Sequence, residues 1–264
     1  MEFEIIDFHT HPAYKPETSI SVHKSAGDIT TKQTIELLNK LGISKICGSV
    51  VKFVSDKPDD IWAFLKQLND EALELASEFK GIYYPGFHVH PKFLDESIKE
   101  IDRFYSKGYK LIGELTPYIH WYDTHEHSYN EGAMQDILDY ASQKGMILSA
   151  HPSAYDDMDE VCKNHPNLIV VGAHPSENVA FDRHVERAKK YKNYYVDVSG
   201  GGIARYGCAR RLVNEIGAEK VLFGSDYPIC NLQMFVDGIK NDLLLSNEEK
   251  RLILAENTKR ILNI

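Results

Sequence analysis

The sequence predicts a closed (β/α)8 barrel, in which eight parallel strands alternate with helices. Strand-like apolar runs and helical segments alternate about eight times along the 264 residues. The strand-like runs are continuously apolar, which is typical of a parallel sheet buried on both faces. The length is close to the roughly 250 residues of such barrels, and no linker rich in proline or glycine divides the chain. We therefore expect one domain over residues 1–264, with an open doubly wound sheet as the alternative.

Local signals support the individual elements. Thr30 or Thr31 can cap the first helix, and Gly42 ends it. Pro58 marks the start of the second helix, because proline is tolerated in the first turn. The stretch Ser246-Asn247-Glu248-Glu249 predicts a capping box at the start of the last helix. The predicted strands cover residues 4–11, 44–51, 82–88, 109–115, 146–151, 168–174, 194–198 and 220–224, and the predicted helices cover residues 30–41, 58–79, 94–105, 132–143, 156–164, 177–191, 203–216, 232–243 and the segment from 246.

Composition and charge disfavour several classes of protein. No apolar run approaches the roughly 18 residues that a membrane helix needs, and no signal peptide is evident, so a cytoplasmic protein is expected. The four cysteines are far apart in the sequence, so neither a disulfide framework nor a thiolate zinc site is expected. The formal net charge of −9 disfavours binding to the phosphate backbone of nucleic acids.

The first strand carries two histidines, His9 and His11, one residue apart. In an extended strand, side chains at positions i and i+2 point to the same side. Both imidazoles can therefore face one metal ion. A single His-x-His pair is a weak signal on its own, so the interpretation depends on ligands from later strands.

Later strands supply such ligands at their carboxyl ends, which meet at one mouth of a barrel. The polar residues at these ends are His88, His90, Glu114, His151, His174 and Asp226. Packing of the hydrophobic core does not explain histidines at the ends of the first, fifth and sixth strands together with an aspartate at the end of the eighth. Imidazoles combined with carboxylates suit Zn²⁺ best, with Mn²⁺ or Fe²⁺ as alternatives. We expect a divalent metal site with one or two ions.

Several stretches together resemble a known family. The chain resembles the amidohydrolase superfamily of metal-dependent barrel enzymes, and within it the amidohydrolase-2 branch, which includes decarboxylases of the aminocarboxymuconate-semialdehyde type. The resemblance spans the whole chain. It is carried by Ile6-Asp7-Phe8-His9-Thr10-His11-Pro12, Ser149-Ala150-His151-Pro152, Gly172-Ala173-His174-Pro175, Tyr195-Val196-Asp197-Val198-Ser199-Gly200, Leu222-Phe223-Gly224-Ser225-Asp226-Tyr227-Pro228 and Glu256-Asn257-Thr258-Lys259-Arg260-Ile261-Leu262.

The resemblance implies roles for individual residues. The residues that match the metal ligands are His9, His11, His151 and Asp226. His174 matches a catalytic histidine that orients the metal-activated water, and Asp226 is also expected to accept a proton from that water.

Glu114 departs from the family pattern, since many relatives have a lysine or no ligand at this strand end. Gly113-Glu114 instead resembles the Gly-Glu element of TatD-like hydrolases, in which the glutamate bridges two metals. The match is partial, because those enzymes have Thr-Asp where this chain has Gly-Ser-Asp-Tyr-Pro. The partial resemblance implies that Glu114 is a direct metal ligand that bridges a second metal, with His151 and His174 shared between the two sites. The alternative role is to accept a hydrogen bond from a ligand imidazole.

Residues around the predicted mouth are candidates for substrate binding. These are Lys52, His88, Tyr118, His120, Trp121 and Arg205, and the neighbouring Tyr122, His125 and His127 extend the same loop over residues 116–130. A packed surface loop, hydrogen-bonded structural histidines and solvated cations are the alternative interpretations.

The resemblance implies a metal-dependent hydrolase that acts on a small-molecule amide, ester or lactone through a metal-activated water. A non-oxidative decarboxylase or hydratase on the same scaffold is the alternative. A TatD-like nuclease is supported by Glu114 and opposed by the charge of −9, and a barrel that only binds a ligand would lack a stoichiometric metal. A homodimer is expected from the resemblance alone.

Overall fold

The computed structural model describes residues 2–12, 30–52, 56–121, 128–151, 157–175, 179–201 and 203–264. Tyr122, His125 and His127, and most of the polar segment before the first helix, lie outside these residues. The strands are β1 Ile5–Asp7, β2 Ile43–Gly48, β3 Tyr83–Phe87, β4 Leu111–Leu115, β5 Ile147–Ala150, β6 Ile169–Gly172, β7 Tyr194–Asp197 and β8 Val221–Leu222. The helices are α1 Thr31–Leu41, α2 Ile61–Glu78, α3 Leu94–Tyr105, α4 Pro117–His120, α5 Met134–Gln143, α6 Met158–Asn164, α7 Val179–Lys190, α8 Cys208–Ile216, α9 Leu232–Lys240, α10 Asn247–Arg251 and α11 Asn257–Leu262.

The strands form one parallel sheet in the order β1 to β8, so each strand lies beside its neighbours in sequence. Backbone hydrogen bonds join the two ends of this sheet. Phe8 N donates to Phe223 O at 2.8 Å, Asp226 N donates to His9 O at 2.8 Å, and His11 N donates to Tyr227 O at 2.7 Å. The predicted (β/α)8 barrel is confirmed. The join also sets the residues after β1 beside those after β8.

Helix starts follow the predicted caps with one shift. Thr30 caps α1 in a capping box with Gln33, and Gly42 ends α1 in the left-handed conformation. The second helix begins three residues later than predicted, because Asp60 rather than Pro58 provides the cap, accepting from Ala63 N at 2.9 Å. Ser246 caps α10 in the predicted capping box.

Other element bounds differ from the sequence prediction. The helix predicted over 203–216 begins only at Cys208, behind the glycine-rich turn that follows β7. The predicted loop over 116–130 contains the short helix α4, with proline in its first turn. The last helix is interrupted by a π-helical segment, Leu252–Glu256, between α10 and α11.

Two buried apolar clusters support the barrel. The larger cluster lies between the strands and the surrounding helices. The smaller one combines residues at the starts of the strands, such as Leu111 and Ile147, with Ala255, Ile261 and Leu262 from the C-terminal helices. The C-terminal helices therefore pack against the end of the barrel opposite to the mouth. All four cysteines lie in described residues and none forms a disulfide. Within the described ranges, no helix combines the length and apolar character that crossing a membrane requires.

Candidate metal centre

The join between β1 and β8 is fixed by a buried carboxylate, Asp7. Its Oδ1 accepts from His9 N at 3.1 Å and from Ser225 N at 3.0 Å, and its Oδ2 accepts from Ser225 Oγ at 2.5 Å. Burial raises the pKa of Asp7 to about 7, although these hydrogen bonds oppose the rise. Asp7 thus holds the chain segments that carry His9 and Asp226 in register.

Four side chains converge where these segments meet the end of β4. His9 Nε2 lies 3.2 Å from His11 Nε2. Glu114 Oε2 lies 3.3 Å from His9 Nε2 and 3.4 Å from His11 Nε2. Asp226 Oδ1 lies 3.8 Å and 3.4 Å from the same two nitrogens. We call His9, His11, Glu114 Oε2 and Asp226 Oδ1 the first metal site.

The outer nitrogens of the two imidazoles determine their tautomers. His11 Nδ1 lies 3.0 Å from Ser49 O, and a carbonyl oxygen can only accept a hydrogen bond. His9 Nδ1 lies 3.0 Å from Asp197 Oδ2, which also accepts. Each Nδ1 is therefore the protonated nitrogen. In the neutral imidazoles, both Nε2 atoms point lone pairs into the first metal site.

These residues fit a divalent cation. Four lone-pair atoms face each other, and Glu114 Oε1 and Asp226 Oδ1 are buried without a hydrogen-bond partner among the described residues. Two ligand atoms that are both about 2.1 Å from one ion can be at most about 4.2 Å apart. The distances from the two imidazole nitrogens to each other and to the two carboxylate oxygens, 3.2 to 3.8 Å, are shorter than that limit. A cation would replace repulsion between lone pairs with coordination bonds.

Protons compete with a cation for the same atoms. Burial lowers the pKa of His9 and His11, but nearby carboxylates outweigh it. Glu114 and Asp197 raise the pKa of His9 well above its ordinary value, and Asp226 and Glu114 raise that of His11 to about 9. Burial raises the pKa of Glu114, whereas His9 and His174 hold it well below its ordinary range. The pocket thus favours bound positive charge.

His174 follows β6 and approaches the other oxygen of Glu114. Its backbone is in the left-handed region, with φ of 55°. Its Nε2 lies 3.2 Å from Glu114 Oε1, and its Nδ1 lies 2.9 Å from Ser199 Oγ. Ser199 Oγ also lies 3.1 Å from His9 Nδ1 and donates to Asp197 Oδ1. The Asp197–Ser199 pair therefore contacts His9 and His174 at their Nδ1 atoms, opposite the Nε2 atoms that face Glu114.

His151 and Tyr118 form the solvent side of the centre. The His151 ring packs against His174 with ring centroids 5.0 Å apart, and against Tyr118 at 4.9 Å. Tyr118 is 55% exposed. Burial of its hydroxyl, with the charges of Glu114 and Asp226, raises the pKa of Tyr118 to about 12. The predicted role of Tyr118 in substrate binding stays a prediction.

The other predicted substrate-binding residues lie in different surroundings. His88 is buried, and its Nε2 donates to Val50 O at 2.7 Å. His120 is buried beside His88, with ring centroids 4.8 Å apart, and its Nδ1 lies 2.6 Å from Thr116 Oγ1. Trp121 is buried against Tyr129, with ring centroids 5.5 Å apart. The structure places these three rings in packed surroundings.

The two predicted cations lie nearer the surface. Lys52 is half-buried and Arg205 is exposed. The described contacts place neither of them on the metal ligands.

Three functional contacts escaped the sequence interpretation, namely Asp197, Ser199 and Ser49. Asp197 and Ser199 belong to a stretch that carries the family resemblance, and Asp197 ends β7 as the predicted ligands end other strands. That position is the signal that could have found Asp197. Ser49 acts through its backbone oxygen, which no side-chain pattern identifies.

Fold and ligand set define a barrel enzyme with a divalent-metal centre. Residues 6–264 match the family model described as Amidohydrolase, so the chain belongs to the amidohydrolase family. The family resemblance suggested by the sequence is confirmed. A search of curated proteins finds no match.

Solved structures of decarboxylases are similar over nearly the full length of both chains. The 2,6-dihydroxybenzoate decarboxylase from Rhizobium has a TM-score of 0.75 and 13% identity, with 99% of each chain covered. The 5-carboxyvanillate decarboxylase from Sphingomonas paucimobilis has a TM-score of 0.72 and 13% identity, with 100% of each chain covered. A dihydroxybenzoic acid decarboxylase from a Polaromonas species, with bound manganese and the inhibitor 2-nitroresorcinol, has a TM-score of 0.73 and 13% identity over 99% of this chain and 97% of that one. At 13% sequence identity, this structural similarity shows a shared fold and nothing more.

Proposed function

We propose that this protein is a metal-dependent, non-oxidative decarboxylase of a small aromatic carboxylic acid that carries a hydroxyl group next to the carboxylate. The observation that carries the proposal is the first metal site, in a barrel that matches three hydroxyaryl-acid decarboxylases from end to end. This evidence favours decarboxylation over the hydrolysis expected from the sequence. The bound manganese of one such structure supports Mn²⁺ beside Zn²⁺ as the ion.

The chemistry requires a cation, a proton and a dry pocket. When bound, a divalent cation would supply positive charge that holds the carboxylate and hydroxyl oxygens of the substrate. The residues around it are buried, with Glu114 only 3% exposed, so charges interact strongly there. A poorly hydrated carboxylate also loses carbon dioxide more readily than a solvated one.

Asp226 is the proposed proton carrier. It lies at the edge of the first metal site, and the Cys230 thiol approaches its Oδ2 at 3.7 Å. The Asp226 carboxyl group would deliver a proton from Oδ2 to the ring carbon that bears the substrate carboxylate. The bond between that carbon and the carboxylate then breaks, carbon dioxide leaves, and its bonding electrons restore the aromatic ring. Atoms and charge balance without an oxidant.

Isotope labelling tests this proposal. Protein loaded with Mn²⁺ is incubated in D₂O with a panel of carboxyl-¹³C-labelled 2-hydroxybenzoates and 2,6-dihydroxybenzoates. We expect labelled bicarbonate and one ring deuterium per turnover, both seen by NMR. Asp226→Asn should lose turnover. The matched control Asp237→Asn, at an exposed position on α9, should retain it.

Hydrolysis is the second candidate, favoured by the description of the family. A parallel panel of amides, esters and lactones in H₂¹⁸O distinguishes the two, because hydrolysis places ¹⁸O in the product. Labelled hydrolysis product without labelled bicarbonate would overturn the decarboxylase proposal.

A further inference from the structure

The end of β4 contains one more residue than the part of β5 with which it pairs. Ile112 pairs with Leu148. Leu115 lies three residues further along β4, but it pairs with Ala150, only two residues beyond Leu148. This is the pattern of a β-bulge, which redirects side chains locally. Ile112 and Leu115 accordingly both belong to the apolar cluster between strands and helices, although residues three apart in a regular strand face opposite sides.

The bulge aims Glu114 at the metal centre. Glu114 directly precedes Leu115, so the alternation of side chains puts it on the opposite face, towards the barrel interior. From there its carboxylate reaches the imidazoles of His9 and His11. Without the extra residue, Glu114 would share the face of Ile112 and point towards the surrounding helices. The geometry of the centre therefore depends on whatever holds the bulge in place.

Two side-chain hydroxyl groups bind the backbone of this bulge. Ser49, just after β2, donates from Oγ to Glu114 O at 3.3 Å. Tyr129 Oη lies 3.2 Å from Leu115 O and 3.0 Å from His151 O. Carbonyl oxygens can only accept, so the single hydrogen of the Tyr129 hydroxyl is directed at these two acceptors. Tyr129 thus joins the residues at the ends of β4 and β5.

We propose that Tyr129 and Ser49 are positioning residues for the metal centre, which fix the bulge at the end of β4 and thereby the direction of Glu114. Both act on backbone carbonyl groups, so neither needs to touch a substrate or an ion. A ligand requires such support because its atoms must be held within about 0.5 Å of the productive geometry. The inference deepens the proposed function and rests on it only for the first metal site.

Tyr129 is itself held in place by the core. Its side chain is fully buried, and its ring packs edge-on against Trp121 with ring centroids 5.5 Å apart. Its backbone N donates to Asp157 Oδ2, which also accepts from Ser128 Oγ at 2.7 Å. A side chain already fixed by packing loses little further conformational freedom when its hydroxyl forms a hydrogen bond. The Tyr129 hydroxyl is therefore a rigid point to which the two strand ends are tied.

The other end of β4 provides a matched control. Tyr84 Oη donates to Gly108 O at 3.3 Å and accepts from Lys110 N at 2.9 Å, immediately before β4 begins. Tyr84 belongs to the apolar cluster at the end of the barrel opposite to the mouth. Tyr84→Phe and Tyr129→Phe each remove one hydroxyl that binds the backbone near an end of β4. A loss of stability should therefore appear in both variants, but a loss of metal affinity only in Tyr129→Phe.

Calorimetric titration of the metal-free protein with Mn²⁺ tests the inference without reference to turnover. We expect Tyr129→Phe and Ser49→Ala each to weaken Mn²⁺ binding by about 10-fold, as removal of a group that supports a metal ligand does. Tyr84→Phe should bind Mn²⁺ as tightly as the wild type. A Glu114→Gln background tests whether the hydroxyls act through Glu114. In that background, each hydroxyl substitution should change Mn²⁺ affinity by less than about 2-fold.

Three outcomes would overturn the inference. These are wild-type affinity in either Tyr129→Phe or Ser49→Ala, an equal loss of affinity in Tyr84→Phe, and a 10-fold loss that persists in the Glu114→Gln background. If Glu114→Gln binds no Mn²⁺, the affinities of the three single variants still decide.

The same variants separate this inference from the proposed function. The expected pattern of Mn²⁺ affinities in a protein that releases no carbon dioxide would refute the proposed function and leave the positioning role standing. Decarboxylation by Tyr129→Phe with wild-type kcat/KM and wild-type Mn²⁺ affinity would do the reverse.

Discussion

Replacing Gly200 with alanine should damage the metal centre while leaving the barrel folded. Gly200 has φ of +57°, and an added Cβ would lie 2.4 Å from His174 Nδ1. An ordinary contact of this kind begins at 3.4 Å, so the imidazole must move by about 1 Å. Misplacing a reacting group by about 1 Å costs on the order of 100-fold in rate. We therefore expect kcat/KM for decarboxylation to fall by about 100-fold.

The chain provides a matched control for backbone strain. Gly145 has φ of +62°, is exposed, and would have no atom within 4 Å of an added Cβ. Alanine in the left-handed region costs about 1–2 kcal/mol at either position. Both variants should therefore melt about 2–8 °C below the wild type. Only Gly200→Ala adds the collision with His174.

The assay compares the two variants at equal Mn²⁺ loading. Melting temperature, bound manganese per chain and kcat/KM are measured for each. The expected pattern is a loss of melting temperature in both, with the loss of kcat/KM confined to Gly200→Ala. Wild-type kcat/KM in Gly200→Ala, or an equal loss in Gly145→Ala, would refute the role of this contact.

Three further predictions concern affinity, metal removal and acid. Asp197→Asn removes the carboxylate behind His9 Nδ1, so calorimetric titration should show Mn²⁺ affinity reduced by about 10- to 100-fold, and unchanged affinity would contradict the role of Asp197. Free Mn²⁺ at 100 times its Kd adds about 2.7 kcal/mol to the free energy of unfolding, so chelation should lower the melting temperature by about 5–11 °C. An unchanged melting temperature would argue against a metal site in the folded state. Burial lowers the pKa of His88 to about 4 and that of His184 to about 3, so the unfolded chain binds more protons below about pH 6.5. The contribution of these two histidines to stability should then be intact above that pH and shrink, by up to about 1.4 kcal/mol per pH unit for each, as the pH drops towards 4. Urea melts of the wild type and His184→Gln whose stability difference does not change between pH 7 and pH 5 would contradict this.

The sequence predicted the barrel and the convergence of its ligands because both depend on periodicity and topology. Continuous apolar runs determine which segments become strands, and closure of a parallel barrel brings their carboxyl ends together. His9, His11, Glu114 and Asp226 meet for that reason.

The hydrogen bonds that orient the ligand side chains depend on where distant side chains point. The periodicity of the sequence does not reveal those directions. The hydrogen bond from His9 to Asp197 joins residues 188 positions apart. Trp121 illustrates the same difficulty, because it follows a strand end as a pocket residue would. The turn of α4 nevertheless directs its ring into the core.

Backbone strain at two residues gives the centre a cost that the surrounding contacts must offset. His174 and Asp226 both have positive φ, 55° and 63°, and neither is glycine. Such conformations cost about 1–3 kcal/mol each and persist only where neighbouring contacts enforce them. Asp226 is held by the hydrogen bond from its own N to His9 O, and His174 by the Ser199 hydroxyl. The strained residues are therefore the two that turn a ligand side chain towards Glu114 immediately after a strand ends. This is expected if the geometry of the metal centre, rather than stability, determines their backbone conformations.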